Sequence, residues 1–152
     1  MRNEHALDAI DREIIDHLSR DGRMSNVELA RRVGLTPPPC LRRVKRLEEA
    51  GVITGYRARV DPAALGRGLE VFVDVEVGVS DRSTLEELER VLAGYEEVVE
   101  LRRLFGRPDY FMRVRVADHA AYEEFQTRRL IGLPGVLRVV SHLTMKTVKS
   151  EG

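Results

Sequence analysis

Between Arg31 and Arg46 the chain carries Arg31, Arg32, Arg42, Arg43, Lys45 and Arg46 and no acid. Cationic side chains gathered without counter-charges suit contact with the phosphates of a polyanion. The 152-residue chain as a whole is neutral, 25 basic residues against 25 acidic, so any such attraction must be local. Residues 1–60 hold 12 basic and 9 acidic groups, and the remainder 13 and 16. On the ~100° step of an α-helix, Cys40, Leu41, Val44 and Leu47 share one side, while Arg42, Lys45 and Arg46 fall opposite with Arg43 at their flank. A merely solvated face is the plain alternative; the acid-free context favours DNA. Pro37-Pro38-Pro39 precede this face. Because each X-Pro step disfavours α conformation in the residue before it, regular helix is expected from about Pro39. That leaves the Thr36 hydroxyl for a phosphate. Pro38 or Pro39 suits a thymine methyl, and Arg42, then Arg43, suits direct readout of base edges. The candidate DNA-binding set is therefore Arg31, Arg32, Thr36, Pro38, Pro39, Arg42, Arg43, Lys45 and Arg46, with modest specificity that leans on DNA shape.

Other chemistries find less support. His5, His17, His119 and His142 form no metal-ligand spacing with the single Cys40, which excludes an internal disulfide and reads as a small buried apolar residue. His142 can titrate near neutral pH, but its neighbours in sequence assign it no task. No nucleophile, base and orienting acid recur at a useful spacing, and no glycine loop cradles a phosphate. The expectation is no catalytic residue, no metal and no cofactor. No apolar run approaches the ~18 residues of a membrane span, since even Val71 to Val79 carries Asp74 and Glu76. Glu4, Asp8, Asp11 and Glu13 stand where a signal peptide would be apolar, so a cytoplasmic protein without a membrane partner is expected.

The elements that must position these residues follow from periodicity. Leu7, Ile10, Ile14 and Leu18 outline one buried helical face behind an Asp8 cap, ending near Asp21-Gly22. Ser25-Asn26-Val27-Glu28 reads as a reciprocal capping box opening a short helix with Val27, Ala30 and Val33 inward and Gly34 at its exit. After Gly34-Leu35-Thr36 the basic helix runs to Glu49, with Gly51 ending it. Two helices joined by a tight glycine-containing turn form a helix-turn-helix pattern. Val52 to Val60 predicts a short strand or wing, and Asp61 to Gly68 a linker. Thereafter strands are expected at Val71 to Val79, Val98 to Phe105, Asp109 to Val116 and Val136 to Val148. Helices are expected at Ser83 to Ala93, capped by Ser83, and at His119 to Leu130. The order β-α-β-β-α-β is the ferredoxin-like arrangement. Its first and third strands are neighbours, which predicts Asp74 and Glu76 beside Arg113 and Arg115, either as solvated pairs or on a dimer-facing sheet with Phe72, Phe111 and Val140. The fold class is thus α+β: a DNA-binding helix-turn-helix domain over 1–60, a linker over 61–68 and a ferredoxin-like domain over 69–152.

The run Leu7-Asp8-Ala9-Ile10-Asp11-Arg12, then Asp21-Gly22-Arg23, Ser25 to Val33 and Gly34-Leu35-Thr36-Pro37 resembles the start of the Lrp/AsnC family. The likeness continues through Cys40-Leu41-Arg42-Arg43-Val44, Arg46-Leu47-Glu48 and Gly51 to Tyr56. It extends through Gly106-Arg107-Pro108-Asp109-Tyr110, similar to the family's G-x-x-D-Y turn, and Leu133-Pro134-Gly135-Val136. The resemblance implies a transcriptional regulator with a winged helix-turn-helix for double-stranded DNA and an α+β domain for an amino acid or related effector and for assembly. It further implies homo-oligomers, dimers paired through their sheets that associate into tetramers, octamers or larger rings. Effectors in such proteins sit between dimers near the turn, which points to Gly106, Asp109 and Tyr110 and, on the last strand, Ser141. Many relatives carry an acid directly after the glycine; Arg107-Pro108 stands here instead. Arg107 then suits a ligand carboxylate and Asp109 its ammonium.

Rival functions remain distinguishable. An oligomeric small-molecule-binding α+β module without an effector-controlled regulatory role would lack use for the basic helix. An RNA-binding sheet would need stacking aromatics on its central strands, which Arg103-Leu104-Phe105-Gly106 does not supply. An enzyme would need the catalytic constellation already found wanting.

Overall fold

The computed structural model describes residues 6–78 and 81–149, and the chain divides into two compact units, Met1–Ala58 and Arg59–Gly152. His5 and Val79 lie outside the described residues.

In the first unit, α1 (Ala9–Arg20) is capped by Asp8, which accepts from the Asp11 amide at 2.8 Å while the Asp11 carboxylate accepts from the Asp8 amide at 3.3 Å. The reciprocal box is therefore here. At α2 (Asn26–Arg32) only half of the expected box forms. Ser25 accepts from the Glu28 amide, but the Glu28 carboxylate turns to Arg31 and Arg32. Val27, expected inward, is 68% exposed, and Leu29 takes the core position with Ala30 and Val33. α3 spans Pro37–Glu49, two residues earlier than expected. The reason is counting: the first three amides of an α-helix have no intrahelical acceptor, so three prolines fill those positions without losing a bond. Cys40 makes the first one, donating to the Thr36 carbonyl. Cys40, Val44 and Leu47 are buried against Ile14 and Leu29, whereas Leu41 is solvent-exposed, which corrects its placement on the inner face. Val52 to Val60 forms no strand; the Val52 and Ile53 amides bond the Leu47 carbonyl, and no described segment of this unit offers a ladder beyond them.

The second unit opens on a 3₁₀ turn, Pro62–Leu65, capped by Asp61 and closed by Gly66 at φ 69°, where a plain linker was expected. Strands β1 (Leu69–Val77), β2 (Val98–Arg103), β3 (Tyr110–Val116) and β4 (Val136–Leu143) form one antiparallel sheet in the order β2-β3-β1-β4. Helix α4 spans Arg82–Ala93, capped by Asp81 rather than Ser83; the Asp81 carboxylate accepts from both the Thr84 amide and the Ser83 hydroxyl at 2.9 Å. Helix α5 (His119–Phe125) runs into one wide π turn, Gln126–Leu130. Alternate strand residues Val71, Val73, Val75, Met112 and Val114 pack on Leu85, Leu88, Leu92, Phe125 and Leu130 of the helices. The βαββαβ order is as read from the sequence. β4 stops at Leu143, short of Val148, because its ladder to β1 runs out at the Val71 to Leu143 pair.

Register corrects the expected charge pairs. Strands β1 and β3 run in opposite directions, so Glu70 faces Arg115, Phe72 faces Arg113 and Asp74 faces Phe111. Arg115 bonds Glu70 at 2.8 Å and Arg113 lies 3.3 Å from Glu100, whereas Asp74 pairs with His142 of β4 at 3.0 Å. Phe72 and Phe111 stack at 5.7 Å on the same face, the one turned from the helices.

Candidate nucleic-acid interface and ligand recess

Helix α3 is held at both ends. At its start the Asn26 amide donates to the Pro37 carbonyl at 2.8 Å, tying α2 to the first turn. Thr36 makes no cap bond and is exposed, as is Pro38, while Pro39 is half-buried. The basic residues then divide. Arg42 and Lys45 are exposed and form no ion pair among the described residues. Arg43 Nη1 lies 2.6 Å from Asp8 and 2.9 Å from Asp11, and Arg46 Nη2 chelates both Asp11 oxygens at 2.8 and 2.7 Å. Arg31 and Arg32 both bond Glu28. Pro39, Arg42, Arg43 and Arg46 line one open recess of about 320 Å³.

The electrostatics follow these partners. Two guanidiniums donating to Glu28 hold its carboxyl down at about 2. The Asp11 amide, and then Arg43, hold Asp8 below the usual carboxylate range. Cys40 is fully buried with no disulfide partner, and burial pushes its thiol up, away from the reactive thiolate.

Sequence reasoning missed Asp11, the one charged residue buried among those described, at 2% exposure. The signal was present. Asp11 sits four residues after Leu7 and three before Ile14, on the apolar stripe of α1, and an acid there requires cations from another element. Tyr110 shows the same oversight, since its buried hydroxyl finds Glu89 of α4 at 2.8 Å and burial then pushes it up to about 12.

In the second unit the turn Gly106 to Asp109 borders a recess of about 260 Å³ lined by Val77, Leu85, Arg103 to Gly106, Asp109 and Tyr110. Gly106 stands at φ 115°, a conformation side chains resist. One Asp109 oxygen accepts from the Val77 amide at 2.8 Å, joining the turn to the end of β1. Arg107 is largely exposed, its guanidinium 3.8 Å from Glu76. Ser141 is not brought to this recess; it bonds the Tyr122 hydroxyl at 2.5 Å under α5. Phe105, beside the turn, is fully exposed, with Leu104 40% exposed.

Two comparisons bear on these units directly. Residues 7–54 match the winged helix-turn-helix DNA-binding family, and residues 70–152 match the Lrp/AsnC ligand binding domain. The chain is 40% identical over 148 residues to the leucine-responsive regulatory protein of Haemophilus influenzae, covering 97% of this chain and 89% of that one. It is 41% identical over 145 residues to the leucine-responsive regulatory protein of Escherichia coli, covering 95% and 88%. Among solved structures, a Neisseria meningitidis transcriptional regulator in complex with L-methionine aligns with a TM-score of 0.89 at 33% identity, over 95% of this chain and 93% of its own. An AsnC family regulator from Agrobacterium tumefaciens aligns with a TM-score of 0.86 at 34% identity, over 94% and 93%. With the helix-turn-helix, the βαββαβ sheet and near full-length identity in agreement, the chain belongs to the Lrp/AsnC family of transcriptional regulators.

Proposed function

We propose that this regulator binds double-stranded DNA through α3, with Arg42 reading a base edge and Lys45 neutralising phosphate, and that an amino acid controls its assembly. The observation that carries the DNA contact is the exposed, unpaired state of Arg42 and Lys45 on the helix that follows the turn. Thr36, Pro38 and Pro39 flank them, while Arg31 and Arg32 contribute less because Glu28 offsets part of their charge. Binding of a polyanion by such a helix depends steeply on salt. A gel-shift series on random and selected duplexes at rising salt is the test; salt-independent or absent binding overturns the contact.

The recess at Gly106 to Tyr110 supports an effector site for a small zwitterion. Asp109 keeps one carboxylate oxygen beyond its bond to Val77, and Arg107 lies largely in solvent, so ammonium and carboxylate each have a partner. That a relative is solved with L-methionine favours an amino acid. Ser141 stays outside this proposal, since its hydroxyl is committed to Tyr122. The fully exposed Phe105 beside the recess, and the Phe72 to Phe111 stack on the outer sheet face, favour burial against further copies as a dimer and higher assembly. Calorimetry with the common amino acids, together with light scattering, tests both parts. The proposed setting is the cytoplasm, with no catalysis and no cofactor. No described helix is long and apolar enough to cross a membrane.

A further inference from the structure

We propose that Asp8 and Asp11 act as an internal counter-ion for the recognition helix, withholding Arg43 and Arg46 from DNA phosphates and so setting the ratio of specific to non-specific binding. The proposal rests on the DNA-binding reading above. Two guanidiniums face two carboxylates at hydrogen-bond distance across α1 and α3, so the cluster carries no net charge towards a polyanion. Geometry reinforces the neutrality. The Asp11 side chain is 2% exposed, fixed in the capping box of α1 and chelated by Arg46. A phosphate that recruits either arginine must displace a carboxylate already in place and leave a buried acid short of a partner. Arg42 and Lys45 face no such competition. Arg43 and Arg46 nevertheless line the same recess as Arg42, so the withheld charges stand next to the reading residue and would reach the same backbone if released.

The arithmetic is testable. Two free cations per subunit neutralise about four phosphates in a dimer, which gives log K against log salt a slope of about −3.6. Each arginine released per subunit steepens the slope by about 1.8. The experiment measures salt titrations of the full chain on one random and one selected duplex, for wild type, Asp8→Asn, Asp11→Asn and Arg43→Gln. Asparagine caps a helix as well as aspartate, so Asp8→Asn removes charge while keeping α1. Steeper slopes and tighter random-duplex binding for both asparagine variants support the proposal, as does an unchanged slope for Arg43→Gln. Each released arginine widens the affinity drop between about 50 and about 200 mM salt roughly tenfold. A slope flattened by about 1.8 in Arg43→Gln marks that residue as an ordinary phosphate ligand and overturns the idea. Wild-type slopes in both asparagine variants do the same. If Asp11→Asn loses its helical circular dichroism, the other two variants decide. Wild type that binds neither duplex removes the DNA-binding reading itself, whereas failure of the counter-ion alone leaves wild-type binding intact.

Discussion

Arg42 and Arg43 are adjacent, identical in chemistry and on the same exposed run of sequence, yet one is unpaired and the other bridges two aspartates. Arg42→Ala is expected to relax sequence preference and cost about 1 to 3 kcal/mol at one base position. Lys45→Ala should weaken all duplexes alike and flatten the salt slope by about 1. Equal losses for Arg42→Ala on selected and random DNA would contradict the division of labour, and competition gel-shifts measure it. The basic face itself was legible, because six cations without an acid within sixteen consecutive residues can be read from the sequence. Which cations are neutralised was less so. The partners of Arg31 and Arg32 lie three and four residues away on one helix, within reach of a spacing rule. Those of Arg43 and Arg46 lie 32 to 35 residues away and need the packing of α1 on α3. At the other site, Asp109→Ala removes the acceptor of the Val77 amide as well as the proposed ammonium partner. It should cost about 1 to 3 kcal/mol in denaturant melts, the usual result of an orphaned amide, and abolish amino-acid binding by calorimetry. Binding untouched by the substitution would leave the turn a purely structural feature.

At the scale of elements, caps decide where helices begin, and their carboxylates give the first unit an acid limit. Asp8 and Glu28 are both held below their ordinary values, by an amide and Arg43 in one case and by Arg31 and Arg32 in the other. A group whose folded pKa is depressed stabilises fully above its unfolded value and loses that contribution as pH falls through the folded one. The melting temperature of the intact protein is therefore expected to fall as pH drops below about 4, with the Glu28 contribution persisting towards about 2. Asp8→Asn should flatten the upper part of that fall, and circular dichroism melts at stepped pH measure it. A melting temperature constant from about pH 5 to about pH 2 would exclude these pairs as contributors. Apolar periodicity made the order of elements legible, since residues such as Val71, Val73 and Val75 alternate as one face of a strand must. Boundaries were less legible for a specific reason. Residue preferences placed the start of α3 at Pro39 and a cap at Ser83, whereas backbone bonding set Pro37 and Asp81 instead. The unpaired segment at 54–60 makes the same point: β-type residues form a strand only where a neighbouring ladder exists.

At the scale of the molecule, the proposed ligand recess lies in the second unit and Arg42 in the first, so an effector must act through how subunits assemble. A ligand shifts such an equilibrium only by its differential affinity for the two assemblies. The second unit should therefore carry assembly by itself. A fragment from Asp61 onward retains the whole sheet, both covering helices and a core that includes the fully buried Val71, Val73, Met112 and Val114. It also keeps the outer sheet face with its Phe72 to Phe111 stack, and Phe105 at the turn. With 13 basic and 16 acidic residues it is net acidic, which disfavours approach to a duplex. The fragment is expected to fold, to self-associate in light scattering and to show no gel-shift at a salt concentration where the full chain binds. An amino acid that binds it should alter its mass distribution as it alters that of the full chain, because neither the recess nor the sheet face needs the first unit. A stable but monomeric fragment would remove the sheet-to-sheet dimer. A fragment that assembles but ignores every amino acid bound by the full chain would place the effector's contacts partly in the first unit, and coupling to DNA would then need no change of assembly at all.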